Sequence, residues 1–86
     1  MTRMVTVRLF AAARAAVGHG MLEVAPESDT VSGVVAALQR VPDAVPEVAD
    51  ILGRCSFLVD GRATRDPGAA VPAGAKVDVL PPFAGG

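Results

Sequence analysis

A single apolar stripe at helical spacing stands between two stretches that alternate at strand spacing. Val31, Val34, Val35, Leu38 and Val41 fall at i, i+3, i+4, i+7 and i+10, which aligns them on one helix face. Towards the start, Val5, Val7 and Leu9 alternate with Met4, Thr6, Arg8 and Phe10. Towards the end, Val77 and Val79 alternate with Lys76, Asp78 and Leu80. That period of two marks half-buried strands. One amphipathic helix must bury its stripe against a second layer, and here only strands can supply it. The expected fold is therefore α+β, a mixed sheet packed on one main helix.

Cap and turn signals fix the remaining elements. Residues 3–10 read as the first strand, with Phe10 beside Arg8 on the second face. There Phe10 either meets a partner or turns into the core as the strand twists. Ala11 to Val17 is Ala-rich and Gly18-His19-Gly20 forces a turn, so this stretch reads as a long connection. A second strand over 21–25 is expected antiparallel to the first and closed by Pro26. Thr30, preceded by Asp29, is the helix N-cap, and Pro42 stops the helix. Gly33 predicts a first turn weakened by about 1 kcal/mol relative to Ala. Residues 43–53 read as a loop with one or two helical turns. Ser56-Phe57-Leu58-Val59 is a strand, Asp60-Gly61 a hairpin turn needing positive φ, and Arg62-Ala63-Thr64 the return. Two turns, at Asp66-Pro67-Gly68 and Pro72-Ala73-Gly74, lead to the last strand at 76–80. The first and last strands are the most apolar and are expected to be neighbours. Residues 1–80 thus form one domain, and 81–86 a flexible tail.

Eighty-six residues bury only about two-thirds of the surface that the unfolded chain exposes. Such a core leaves no room for a deep substrate pocket, which favours a binding or carrier module over a self-sufficient enzyme. The net charge is −1 and the only aromatics are three Phe. A nucleic-acid surface calls for a basic stripe, usually with stacking rings. No run of about 18 apolar residues is present to span a membrane. One cysteine, Cys55, forms no intramolecular disulfide, and the cytoplasm is the expected compartment.

The tail carries the chemical signal. Pro81-Pro82 removes two backbone donors, ends sheet pairing and favours an extended exit. Six residues from Pro81 to Gly86 reach about 20 Å when extended, far enough to enter another protein's active site. Glycine has no Cβ, so Gly85 fits a slot too narrow for other residues, and Gly86 presents an unhindered carboxylate. Such a carboxylate can be activated as an acyl-adenylate and attacked by a sulfur or nitrogen nucleophile. Phe83 is an anchor on a partner or a lid on the domain's own core.

Val7-Arg8-Leu9-Phe10-Ala11 with Arg14 and Gly18, Val59 leading into its turn, and Val77-Asp78-Val79-Leu80-Pro81-Pro82-Phe83-Ala84-Gly85-Gly86 together resemble the MoaD/ThiS family. Within it, the pattern is most similar to the small-subunit branch of molybdopterin synthase. The resemblance implies the ubiquitin-like β-grasp fold and a sulfur carrier without catalytic residues of its own. It implies that an adenylyltransferase related to ubiquitin-activating enzymes uses ATP to adenylate Gly86, and that a sulfur donor converts it to a thiocarboxylate. The large subunit of molybdopterin synthase then accepts the tail and passes sulfur to a pterin precursor. No bound cofactor or metal is implied. By position, Gly86 carries the thiocarboxylate, Gly85 passes the channel, and Phe10 and Leu80 join Pro81, Pro82 and Phe83 in the partner surface. A carrier for thiazole or cysteine synthesis, or a ubiquitin-like modifier joined to lysines, are the alternatives.

Three other features read plainly. Cys55 is expected as a small buried hydrophobe. His19, between two glycines, is expected as a solvated turn residue. Arg8, Arg14 and Arg62 are either solvated charges or partners for acidic residues elsewhere.

Overall fold

A computed structural model describes residues 4–82 of the chain. Arg3, at the start of the expected first strand, and Phe83, Ala84, Gly85 and Gly86 lie outside the described residues. Among the described residues, five strands and three helices follow in the order β1 (Val5–Leu9), α1 (Ala11–Val17), β2 (Met21–Val24), α2 (Val31–Gln39), α3 (Val48–Gly53), β3 (Ser56–Val59), β4 (Arg62–Thr64) and β5 (Lys76–Leu80). The sheet order is β2-β1-β5-β3-β4.

The most apolar strands occupy the centre, as expected. β1 pairs parallel with β5, Val7 opposite Val77 and Leu9 opposite Val79. β2 flanks β1 antiparallel, and β3 flanks β5 antiparallel with Phe57 opposite Val79. Directly opposed residues share a sheet face. One face therefore gathers Val5, Val7, Leu9, Val77, Val79, Phe57 and Val59, all buried. The helices supply the facing layer through Ala13, Ala16, Val17, Val34, Leu38 and Leu52. Val7, Val34, Leu38 and Val79 are completely enclosed, each contributing about 2 kcal/mol of burial relative to exposure.

The hairpin and cap signals hold. Asp60 and Gly61 both have positive φ, 48° and 86°, the geometry that a two-residue turn between twisted strands requires. Thr30 caps α2, its Oγ1 accepting the Gly33 N–H at 3.1 Å.

Three local expectations need correction. The stretch after β1 is helix α1. Alanine has the highest helix propensity, and Ala13, Ala16 and Val17 lie at i, i+3 and i+4 on the buried side. Small side chains let this helix share the layer with α2, so the sheet is backed by three helices. Helix α2 ends at Gln39, with Arg40 as its cap, before Val41, which packs against the core from the following loop. The third correction concerns Gly33. A Cβ there would collide with the Ser28 carbonyl oxygen and Oγ, so this glycine is required by the close approach of the preceding loop.

Candidate functional site: the open sheet face and the tail exit

The face of the sheet opposite the helices has its own pattern. The registers place Thr6, Glu23 and Lys76 in one row. Met21, Arg8, Asp78, Leu58 and Ala63 form the next. Ser56 stands opposite Leu80 in a third. Phe10 follows Leu9, and its amide donates to the Val79 carbonyl at 3.3 Å, which extends the β1–β5 pairing one residue further. Phe10 thus joins Leu80 at the end of the sheet where the chain leaves it.

The backbone at this corner is specific. Phe10 is extended, φ −125° and ψ 149°, and its carbonyl accepts from the Ala13 and Arg14 amides to begin α1. Ala11 has φ 51°, a left-handed conformation that costs a non-glycine residue about 1–2 kcal/mol. This sharp bend turns α1 onto the core face while Phe10 remains on the other. Phe10 and Met21 are the exposed large hydrophobics among the described residues, at 40% and 65%. Leu58 and Leu80 are half-buried.

Among the described residues, one ion pair lies within this face. Arg8 Nε and Nη2 donate to Asp78 Oδ1 and Oδ2 at 2.8 and 2.9 Å, a bidentate fork that fixes both planes. The hydrogen bond to Asp78, and then its charge, raise the Arg8 pKa above the ordinary guanidinium value. The Arg8 guanidinium carbon also sits 5.9 Å from the Phe10 ring centroid, within cation–π range.

Leu80 closes β5; Pro81 is half-buried and Pro82 exposed. The structure thus brings Phe10, Leu80, Pro81 and Pro82 to one corner. The expected roles of Phe83, Gly85 and Gly86 fall outside the described residues. Sequence reasoning did not single out Asp78, Met21 or Leu58. Asp78 was accessible: a neighbouring first and last strand, each alternating, brings Arg8 within reach of the acid on the same face.

The remaining candidates separate clearly. Cys55 is buried at 2% exposure, its Sγ 3.2 Å from the Ile51 carbonyl oxygen. Burial pushes the thiol pKa up, against the thiolate that sulfur relay chemistry needs. His19 is half-buried at its turn, and its Nε2 lies 3.0 Å from Asp43 Oδ2 and tethers the α1–β2 turn to the loop after α2. Arg14 and Arg62 are exposed. No helix among the described residues is long and apolar enough to cross a membrane.

A mixed sheet with its first and last strands parallel at the centre and its helices on one face defines a ubiquitin-like β-grasp domain. The chain belongs to the ThiS family, whose model matches residues 7–86. Among solved structures it resembles SAMP1, the small archaeal modifier protein 1 of Haloferax volcanii, at 25% identity and TM-score 0.74, covering 96% of this chain and 99% of that one. The Haloferax volcanii HVO 2177 protein is 30% identical with TM-score 0.72, over 99% of this chain and 88% of that one. A chain of the complex between subunits 1 and 2 of molybdopterin-converting factor from Helicobacter pylori 26695 shares the fold, with 20% identity, TM-score 0.63 and coverage of 96% and 99%. No curated protein matches the chain.

Proposed function

We propose that this chain is a sulfur carrier for molybdopterin synthesis. In this reading the Gly86 carboxylate attacks the α-phosphorus of ATP on a partner adenylyltransferase and releases pyrophosphate. Sulfide from the sulfur donor then attacks the acyl carbon and AMP departs, leaving a thiocarboxylate. The large subunit of molybdopterin synthase takes up the tail, and the sulfur passes to the pterin precursor. The observation that carries this reading is the family match, which runs through Gly85-Gly86. The corner of Phe10, Leu80 and Pro81-Pro82 at the end of β5 supports it, because it offers a partner an apolar grip at the base of the tail.

The chemistry asks little of the carrier itself. Adenylation supplies the leaving group, and the thiocarboxylate sulfur is nucleophilic near neutral pH. The domain binds and orients, while the partner supplies acid, base and water exclusion.

Similarity to SAMP1 favours one second reading, a ubiquitin-like modifier whose Gly86 forms isopeptide bonds. Reconstitution separates the two. The chain is incubated with ATP, the adenylyltransferase, a sulfur source, the large subunit and the pterin precursor. Appearance of the dithiolene product supports the carrier, whereas covalent adducts to other proteins without that product support the modifier.

Phe10→Ala is expected to weaken binding to the large subunit by about tenfold or more, as loss of a central aromatic contact does. Its thermal stability should stay close to wild type, because the α1 cap uses only the Phe10 carbonyl. Titration calorimetry and a melting curve check both. A large fall in melting temperature with unchanged affinity would place Phe10 in the core.

A further inference from the structure

Beside the Arg8–Asp78 pair the open face has a hollow of about 280 Å³, lined by Thr6, Arg8, Met21 and Lys76. The geometry points to this hollow as the seat of an acidic side chain, an Asp or Glu set in an apolar surface of the adenylyltransferase that activates the tail. The inference rests on the carrier reading above and adds to it the chemistry of the partner surface.

Charge accounts for the choice. Asp78 is only 17% exposed, and both of its oxygens are held by Arg8. The fork uses one Nε–H and one Nη2–H. A guanidinium has five donors, so three N–H groups of Arg8 stay unused among the described residues. Lys76 is exposed and has no ion-pair partner among the described residues. Thr6 adds a hydroxyl to the lining. Glu23 stands opposite Thr6 on β2 but does not line the hollow.

The walls explain why the acid comes on a protein. Met21 forms one side and is 65% exposed, a thioether that adapts to an apolar neighbour. Leu58 shares the Arg8–Asp78 row, and Phe10 and Leu80 continue the surface to the tail exit. A partner holding the tail base at Phe10 and Leu80 lies over the same face, two rows from Lys76. A wholly apolar partner would bury the unused Arg8 donors without acceptors, which disfavours it. The hollow therefore acts in specificity, admitting the partner that brings a carboxylate and rejecting one that does not.

Lys76→Glu is the direct test, read in the ATP-dependent thiocarboxylation assay with the adenylyltransferase that activates the wild-type chain. The Lys76 amide that donates to Asp60 Oδ1 belongs to the backbone, so the substitution spares that bond. The expected result is a KM for the chain raised about tenfold with kcat unchanged, as like charges meet across the interface. Lys76→Arg should restore the wild-type KM, and added salt should weaken wild type more than Lys76→Glu. Unchanged KM in Lys76→Glu, with wild type still gaining sulfur, overturns the carboxylate seat and leaves the carrier reading standing. A wild type that gains no sulfur overturns the carrier reading, and the inference with it. Amide NMR shifts at Thr6, Arg8 and Lys76 that saturate with inorganic phosphate alone would instead assign a small-anion site and also overturn the inference.

Discussion

Deletion of Gly86 is expected to lower sulfur loading by at least about 100-fold while leaving the melting temperature of the domain unchanged. The deletion keeps a glycine carboxylate at the end, because Gly85 replaces Gly86 there. The reactive group keeps its chemistry and loses only its position, which moves back by about 3.5 Å, one extended residue. A displacement near 1 Å from attack geometry already costs about 100-fold. Stability should not follow, because β5 ends at Leu80 and the buried core runs from Val5 to Val79. Quantification of thiocarboxylate, alongside a thermal melt, reads both effects. A truncated chain that still loads sulfur at the wild-type rate is incompatible with Gly86 as the carrier position.

The second large effect is on stability, and its sign opposes helix propensity. Gly33→Ala should gain about 1 kcal/mol on propensity alone. The structure predicts a net loss of about 3 kcal/mol instead, at the upper end of overpacking costs. The added Cβ would meet the Ser28 carbonyl oxygen and Oγ. Ser28 Oγ could rotate away, but the carbonyl belongs to a backbone with little freedom to retreat. Ser28 and Ser32 hydroxyls both bond Thr30 Oγ1, which in turn caps α2, and Ser32 N–H reaches the Pro67 carbonyl at 2.9 Å. Moving Ser28 therefore disturbs the cap. Urea unfolding at equilibrium measures the change; a stabilised Gly33→Ala would mean that the Ser28 loop yields at low cost.

Gly33 also shows where sequence reading reached its limit. The Thr30 cap, the α2 stripe, the Asp60-Gly61 turn and the central strands were legible, because each depends on local chemistry or a short period. The reason for Gly33 was not, because Ser28 approaches it through a loop path that no local pattern encodes. Helix α1 was hidden for a related reason. Ala11–Val17 carries only small residues and Val17 on its buried side, so the apolar contrast that marks a stripe is faint. The open face was half legible. Alternation placed Arg8 and Phe10 together on one strand, but Met21 and Leu58 enter that face only through the registers of β2 and β3. The tail motif was read directly from its residues, because its chemistry depends on the absence of side chains.

The most direct measurement is the intact mass of the chain after incubation with ATP, the adenylyltransferase and a sulfur source. The account predicts a gain of one sulfur for one oxygen, localised to Gly86 by fragmentation. An unchanged mass with an active adenylyltransferase, or sulfur found on Cys55 in place of Gly86, would contradict it.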